Sequence, residues 1–295
     1  MMDASYLTYP NRQHGQDHAL YNWRLSRDRT PIQWDSGAKV ALSFIVPLEF
    51  FPLNPSGVPF KHPGAMATPY PDLRHYTVRD YGNRVGVYRI LEALGHTRAG
   101  FAVNAKVAER YPPLMDHISQ HEIIAHGVST DHIHHEGLSE SEEADLIQRT
   151  LNALPPVTGW MSPARNQSSR TLDCLGKAGL AYCLDWENDS VPVATTTGVT
   201  LVPNIYELSD FTLLHTRLQT ESAWKRQLLD AVDCLASEHE RFGGQSLCVT
   251  LTPYIMGQPF RIAMLDALLS DLRRRDDVAV LTPGEVAAQF RKQTA

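Results

Sequence analysis

Three features of the sequence predict an α/β fold in which a parallel sheet is built within a single domain. Short apolar segments alternate about seven times with segments of helical periodicity, the pattern of parallel α/β proteins. Hydrophobic residues make up 43% of the 295 residues, enough for a substantial core. No repeat interrupts residues 39–295, which we predict as one domain preceded by an extended arm, residues 1–38. A closed or nearly closed barrel fits this length, and so does a doubly wound open sheet.

The predicted strands are short segments rich in β-branched and aromatic residues. The first, KVALSFIVPLEF at residues 39–50, is a short apolar run with valine, isoleucine and phenylalanine, as is typical of a buried strand. Later segments of the same kind are residues 99–105, 121–127, 157–165, 180–192, 199–208, 245–257 and the start of 278–290.

The predicted helices carry apolar residues at helical spacing and have recognisable ends. Residues 84–95 finish at Gly95, a residue that often terminates helices. Ser139 lies three positions before Glu142, the spacing of a capping box, so we expect a helix over residues 138–154. The other helical segments are residues 107–120, broken at two prolines, 168–179, 221–244, 261–275 and the end of 278–290. Residues 51–72 are rich in proline and glycine and predict a long irregular loop.

Composition and charge argue against several classes of protein. The formal net charge is −6 and no long basic run occurs, so neither nucleic acid nor an anionic membrane is a predicted partner. No apolar segment approaches the ~20 residues that span a bilayer, and the N-terminus lacks a signal-peptide core. The four cysteines form no CxxC pair and suit buried reduced thiols. We therefore predict a cytoplasmic protein that acts on a small molecule, and the absence of a nucleotide-binding motif disfavours an oxidoreductase.

Polar residues gather where the predicted strands end, which is where parallel α/β proteins place their sites. These residues are Glu49, Asn104, His126, Ser162, Arg165, Asn166, Asp185, Trp186, Glu187, Asn188, Asp189, Asn204, Glu207, Thr252 and Tyr254. A histidine, carboxylates, an arginine, amides and aromatic rings at one rim predict a site for a small polar molecule.

Four histidines fall within ten residues at positions 126–135. His126 ends a predicted strand, whereas His132, His134 and His135 lie in the loop that follows. Zinc needs three or four nitrogen, oxygen or sulfur ligands around one point, and a loop histidine could turn back toward His126. The sequence thus allows a zinc ion held by His126 and His132, and it also allows no metal. A solvated loop is the plainer expectation for His134 and His135.

Six segments, in this order, resemble the polysaccharide deacetylase (NodB-homology) superfamily, in particular its branch of PuuE-type allantoinases. They are ALSFIVPLEFFPL, RDYGNRVGVYRILEAL, EIIAHGVS with LSESEEADLI, GWMSPARNQSSRTLDCLGKAGLAY, LDWENDSVP and LTPYIMGQPFRIAMLDALL. The resemblance extends from about residue 9 to residue 290. It implies a distorted (β/α) barrel of about seven strands. It also implies hydrolysis of a C–N bond, either in an N-acetyl group or in a cyclic amide.

The resemblance implies a metal site that this sequence matches only in part. Metal-dependent members use an aspartate after the first strand and two histidines in an H-x-x-x-H arrangement. Here His126 takes the first histidine position, Thr130 takes the second, and Glu49 is the only acid near the first strand. Thr252 replaces a histidine of the last motif. A metal-free hydrolase, a metal-dependent sugar deacetylase and a catalytically silent binding barrel all stay open.

Amide hydrolysis needs an activated water, a donor to the oxyanion and a proton for the leaving nitrogen. Without a metal, Glu49 would act as the base, and His126 would protonate the nitrogen or orient the water. Arg165 or backbone N–H groups would stabilise the oxyanion. The predicted substrate-binding residues are Asn166, Asp185, Trp186, Asn188 and Tyr254.

Structural roles stay open for several of these residues. Trp186 suits core packing, and Asp185 suits a turn, since WENDSVP is rich in turn-forming residues. Glu49 could pair with Arg79 instead of activating water. The arm at residues 1–38 could pack on a neighbouring subunit, so a homo-oligomer is also open.

Overall fold

The structure is a computed structural model that describes residues 18–56 and 69–294. Residues 1–17 of the predicted arm, residues 57–68 of the predicted loop and residue 295 lie outside the described residues. The described residues form one sheet of nine strands and eleven α-helices. The predicted α/β class is confirmed.

The sheet is almost entirely parallel. Its strands are β1 (Val40–Leu48), β2 (Gly100–Val103), β3 (Glu122–Ala125), β4 (Gly159–Trp160), β5 (Tyr182–Cys183), β6 (Val193–Ala194), β7 (Thr200–Leu201), β8 (Gln245–Thr250) and β9 (Val278–Val280). They follow the order β6-β7-β5-β4-β3-β2-β1-β8, and β9 pairs with β1. Only β6 runs antiparallel to its neighbour, β7. The long stretches of chain between neighbouring parallel strands are the crossovers that the alternating sequence pattern predicts.

Strand β1 organises the sheet because every one of its residues is buried. Its first six residues pair with β8 on one side. On the other side β9 pairs with its first three residues and β2 with its last four. Beyond β7, Asn204 forms an isolated parallel bridge with Cys248 of β8. The sheet therefore curls back on itself as a distorted, incompletely closed barrel, as the resemblance implies.

The helices occupy the crossovers between strands. They are α1 (Leu73–Tyr81), α2 (Val87–Leu94), α3 (Ala105–Arg110), α4 (Pro112–Ile118), α5 (Glu140–Ala153), α6 (Thr171–Lys177), α7 (Glu221–Ser237), α8 (His239–Phe242), α9 (Pro253–Met256), α10 (Ile262–Leu272) and α11 (Pro283–Thr294). The capping box at the start of α5 is present, with both Ser139 and Glu142 hydrogen-bonded as predicted. A π-helical turn, Gly82–Gly86, joins α1 to α2.

Successive side chains of β1 point into two different hydrophobic clusters, as the period of a strand requires. Phe44 and its even-numbered neighbours pack with the surrounding helices, whereas Ala41 and Ile45 belong to a smaller cluster. Trp34 of the arm and Phe290 of α11 join that smaller cluster. The Trp34 indole donates to the carbonyl of the first residue of β8, 2.9 Å away. The arm and α11 therefore fill the amino-terminal end of the barrel, and the opposite end stays available for a site.

Three elements differ from the sequence-based expectation. Helix α1 was not predicted; it starts at Asp72, whose side chain accepts from the His75 backbone N–H at 3.0 Å. Helix α9 replaces the second half of the strand predicted over residues 245–257. Pro253 explains this change, because proline suits the first turn of a helix and cannot donate to a strand ladder. The two-residue strand β6 was also missed.

The cysteine prediction is correct for three of the four side chains. Cys174, Cys183 and Cys248 are free and buried, whereas Cys234 is free and exposed on α7. None of the helices in the described residues has the length and apolarity that a bilayer crossing requires. Residues 18–38 pack on the barrel, but the domain boundary at residue 38 stays a prediction.

Candidate active site

A cavity of about 410 Å³ opens at the carboxyl ends of the strands. Of the residues predicted to act in catalysis or substrate binding, five line it: Glu49, His126, Arg165, Asp185 and Tyr254. The expectation that strand ends would meet in one site is therefore met for these five.

Glu49 and His126 converge in this cavity from the ends of β1 and β3. The His126 Nε2 atom lies 3.6 Å from Glu49 Oε1. The histidine side chain is 2% exposed and the glutamate side chain is 20% exposed. The other ring nitrogen, Nδ1, lies 2.7 Å from the carbonyl oxygen of Met161. A carbonyl can only accept, so Nδ1 carries a hydrogen and Nε2 is the nitrogen that faces Glu49.

The proton count of this pair determines its chemistry. His126 Nε2 is buried and has no hydrogen-bond partner among the described residues. If the ring were neutral and the carboxyl ionised, two acceptor atoms would face each other. A hydrogen on Nε2 as well as on Nδ1 removes that conflict, because the pair is then an imidazolium facing a carboxylate. A pair of this kind can both take a proton from a ligand and give one to it.

Asn104 holds the backbone next to Glu49 and the backbone of His126. Its side chain is fully buried, accepts from the Phe50 N–H at 2.8 Å and donates to the His126 carbonyl. Asn83 donates to the Glu49 carbonyl at 2.8 Å from the π-helical turn. Because these bonds hold the backbone next to both side chains, the pair is positioned before any ligand arrives.

Arg165 reaches the cavity from a turn with left-handed backbone. Ala164 and Arg165 have φ angles of 56° and 54°, which is uncommon for residues other than glycine. The turn packs on Gly127, where a Cβ atom would lie 2.4 Å from Pro163 Cγ. One guanidinium nitrogen of Arg165 donates to the carbonyls of Asn204, at 2.8 Å, and of the residue two positions beyond β5, at 3.3 Å. Part of its donor capacity is therefore used by the protein.

Asp185 lines the cavity, but the protein already saturates its carboxylate. It accepts from the Ser162 N–H at 2.7 Å, the Gln167 side chain at 2.6 Å and the Cys183 thiol at 3.3 Å. These bonds hold the loop that carries Arg165. The contacts favour a structural role for Asp185, one of the two roles left open from the sequence.

Three of the predicted substrate-binding residues do not line the cavity. Asn166 donates to a backbone carbonyl of the histidine-rich loop at 2.5 Å. The Trp186 indole donates to Gln167 at 2.9 Å, and its ring packs against the core. Asn188 donates to the Tyr21 hydroxyl at 3.0 Å and borders a different cavity. Each of the three is close in the sequence to a residue that lines the cavity, but these hydrogen bonds direct its side chain away from the cavity.

His132 does not join His126 as the sequence suggested. Its Nδ1 lies 3.1 Å from Asp131 Oδ1 and 2.9 Å from Ser129 Oγ, and its side chain does not line the cavity. Zinc requires three or four protein donors around one point. Among the described residues no group of three histidine, cysteine, aspartate or glutamate side chains could hold a metal ion. The Glu49–His126 pair alone does not fit a zinc site, and His126 and His132 do not meet in the described residues, so the structure gives no support to the His126–His132 ligand set.

His134 is completely buried, so the expectation of a solvated loop is wrong for this histidine, although His135 is exposed. His134 Nδ1 bonds to Glu143 of α5 at 3.0 Å. Burial alone would raise the pKa of Glu143, but hydrogen bonds from His134, Ser168 and Thr171 outweigh it and lower that pKa to about 2. The network anchors the histidine-rich loop to α5 and α6. Glu143 shares the buried face of α5 with Ile147 and Thr150, a spacing visible in the sequence.

Several cavity residues were not predicted as site residues. Arg79 projects from α1, with its guanidinium carbon 4.3 Å from the Phe51 ring centre and 5.1 Å from that of Tyr254. It donates to a backbone carbonyl one turn back and forms no ion pair with Glu49, contrary to one alternative weighed above. Tyr206 and the aromatic ring of Phe51 add apolar wall. Because α1 was not recognised as a helix, nothing in the sequence indicated where Arg79 would point.

Asp210 lies behind the cavity wall and is fully buried. It accepts from the backbone N–H of Thr252 at 2.7 Å, while its other oxygen has no partner among the described residues. Burial raises the pKa of Asp210 to about 7, although hydrogen bonds from Thr252 and from the Phe211 backbone oppose this rise.

The fold and the cavity define a distorted parallel α/β barrel with a polar site at the carboxyl ends of its strands. PuuE allantoinase has this fold, with a TM-score of 0.77 and 21% identity over 90% of this chain and 95% of that chain. A Mycobacterium smegmatis protein assigned as a polysaccharide deacetylase gives 0.76 and 22%, over 90% and 95%. A Pseudomonas aeruginosa PAO1 protein with the same assignment gives 0.73 and 20%, over 90% and 96%. No family model matches this chain, and no curated protein matches it. At these identities the similarity establishes the fold.

Proposed function

We propose that the protein is a hydrolase of a non-peptide carbon–nitrogen bond in a small polar molecule. The bond would belong to an amide, a cyclic amide or an N-acetyl group. The observation that carries this proposal is the 3.6 Å approach of His126 Nε2 to Glu49 Oε1 inside the cavity. Solved structures of the same fold include an allantoinase and proteins assigned as deacetylases, which supports this reaction type.

Glu49 acts as the base in the first step. Its carboxylate takes one proton from water, and the water oxygen forms a bond to the carbonyl carbon of the substrate. The carbonyl electron pair moves to oxygen and gives a tetrahedral oxyanion. Because the carboxylate is 20% exposed, a water molecule can reach it from the cavity.

His126 acts as the acid in the second step. The oxyanion reforms the carbonyl, the C–N bond breaks, and the nitrogen receives the proton that His126 held on Nε2. The products are a carboxylic acid and an amine, or one ring-opened molecule if the substrate is cyclic. The proton that Glu49 took from water then passes to His126, which restores the starting pair.

A metal-dependent sugar deacetylase is the less favoured alternative, because the described residues bring only two donors to the place where a metal would bind. A silent binding barrel would keep the cavity without turning substrate over. Cytoplasmic location, a role in carbohydrate metabolism and assembly into a homo-oligomer stay predictions.

A substrate panel with matched variants tests the proposal. Cyclic ureides, imides and N-acetyl compounds would be assayed with as-purified protein, with and without added Zn²⁺, alongside Glu49→Gln. We expect one class to be hydrolysed without added metal, and the variant to lose about 100-fold or more in kcat/KM. Glu92→Gln, which changes an exposed glutamate on α2, is the control and should match the wild type. Tight binding without turnover of any compound would favour the silent barrel.

A further inference from the structure

The charge that develops on the substrate carbonyl oxygen needs a hydrogen-bond donor, and the protein itself uses part of the donor capacity of Arg165. One of its terminal nitrogens already donates to two backbone carbonyls, and its Nε is enclosed. Its other terminal nitrogen forms no hydrogen bond in the described residues, so Arg165 stays one candidate donor to the oxyanion. Hydroxyl groups in the cavity wall are the other candidate donors.

Most hydroxyl groups that line the cavity are used by the protein. Thr130 donates to a backbone carbonyl at 3.0 Å, and Thr250 donates to Asn204 at 3.2 Å. The Ser209 hydroxyl donates to the Tyr206 carbonyl at 2.7 Å. These three hydroxyl groups are therefore not available as donors to a substrate.

Two tyrosines that line the cavity have hydroxyl groups with no hydrogen-bond partner within the part of the chain that the structure describes. They are Tyr206 and Tyr254. The Tyr206 side chain is 37% exposed, at the rim of the cavity. Tyr254 is less exposed and follows β8. Strand β8 is next to β1, whose end carries Glu49, and β1 and β2 separate it from β3, whose end carries His126.

Close backbone packing holds Tyr254 in place. It lies in α9, which packs on the π-helical turn Gly82–Gly86 at distances that only glycine permits. A Cβ atom on Gly86 would lie 2.0 Å from the Pro253 carbonyl oxygen, and one on Gly257 would lie 2.3 Å from that of Gly86. The Tyr254 ring also packs edge-on against Phe51, with ring centres 6.5 Å apart. A donor on such a support needs little reorganisation during the reaction.

The surroundings keep the Tyr254 hydroxyl protonated. Burial raises the pKa of Tyr254 well above its ordinary value, the Arg79 guanidinium lowers it in part, and the Glu49 carboxylate raises it further. The phenol therefore stays a donor throughout the neutral pH range. The guanidinium beside the ring favours partial negative charge on the phenol oxygen as it donates.

We propose that Tyr254 is a catalytic residue whose hydroxyl donates a hydrogen bond to the substrate carbonyl oxygen next to the C–N bond that is hydrolysed. This inference rests on the proposed function and assigns the oxyanion a donor in addition to Arg165. Glu49 would then activate water, His126 would protonate the nitrogen, and Tyr254 would hold the oxygen.

Tyr254→Phe removes only the hydroxyl and tests the proposal with the substrate found in the panel. We expect kcat to fall about 100-fold with KM changed less than about threefold, because the bond strengthens in the transition state. Tyr88→Phe, which removes a tyrosine hydroxyl on α2 outside the cavity, should change kcat by less than about threefold. If Tyr254→Phe keeps the wild-type kcat while Glu49→Gln is inactive, the proposed function holds and this inference fails.

Binding of methylphosphonate, a tetrahedral anion, gives a second measurement that does not need turnover. Calorimetric titration should show about tenfold weaker binding to Tyr254→Phe than to the wild type, with Tyr88→Phe unchanged. Equal binding by all three proteins, or no binding to the wild type, would overturn the role of Tyr254 even if no substrate were found. An unchanged far-ultraviolet spectrum and melting temperature would exclude misfolding of the variant as the cause of its loss.

Discussion

The hydrogen on His126 Nδ1 fixes the direction in which this ring can act. Because Nδ1 donates to the Met161 carbonyl, Nε2 is the nitrogen left to exchange a proton with Glu49 and substrate. The strand-end position of His126 is readable from the sequence. The Met161 contact is not, since it joins two crossovers separated by 35 positions in the chain.

Asp210 should make stability depend on pH. Its pKa of about 7 lies above the unfolded value, so its favourable contribution is present at low pH and is lost as pH rises through about 7. Asp210→Asn keeps the shape and removes the ionisable group. We expect the variant to gain about 2–4 kcal/mol of unfolding free energy over the wild type at pH 8, with the gap shrinking toward pH 4.

Urea unfolding of both proteins from pH 4 to pH 8 measures this gap. Asp230→Asn, which alters an exposed aspartate on α7, serves as the control and should leave the slope of the wild type unchanged. A wild-type slope retained in Asp210→Asn would show that Asp210 does not carry the effect.

At the scale of elements, the histidine-rich loop is held by its contacts with α5 and α6. Glu143 accepts from His134, Ser168 and Thr171, and its own side chain has no exposed surface. Three donors satisfy this buried carboxylate, and the loss of its charge or of a donor is costly in such surroundings.

Glu143→Gln should destabilise the protein by about 2–4 kcal/mol at pH 7, because it replaces a buried carboxylate acceptor with an amide. The pKa of Glu143 is lowered to about 2, so its stabilising contribution is present above the unfolded value and is lost as pH falls through about 2. The deficit of the variant should therefore be constant from pH 7 to about pH 5, as measured by urea unfolding.

The control for this prediction is Glu136→Gln. Glu136 pairs with Arg170 at 2.9 Å, but its side chain is 65% exposed, so solvent screens the pair and little change is expected. Equal losses in the two variants would mean that the buried network does not stabilise the loop.

Elements with strong local signals were predictable from the sequence. Helix α5 has a capping box, and β1 is a continuous apolar run, so both appear where the sequence placed them. Helices α1 and α9 were missed because their starts depend on single residues, Asp72 and Pro253, inside segments that lack apolar periodicity. Missing α1 also hid the position of Arg79.

At the scale of the whole molecule, the packing of the arm and the candidate active site lie at opposite ends of the barrel. Trp34 of the arm and Phe290 of α11 pack at the amino-terminal end, while Glu49 and His126 lie at the carboxyl end. Parallel strands bring their ends to one rim, so alternation of strands and helices was enough to predict which residues could meet. Side-chain direction was not predictable: Asn188 follows β5 like Asp185, yet it faces Tyr21.

The most direct test is a double-mutant cycle on Glu49→Gln and His126→Gln, measured as kcat/KM on the substrate identified in the panel. If the two side chains act as one proton-exchanging unit, each single variant should lose about 100-fold or more, and the double variant should lose at most about threefold beyond the worse single variant. Losses that multiply, or a single variant that retains the wild-type rate, would contradict the catalytic role of the pair.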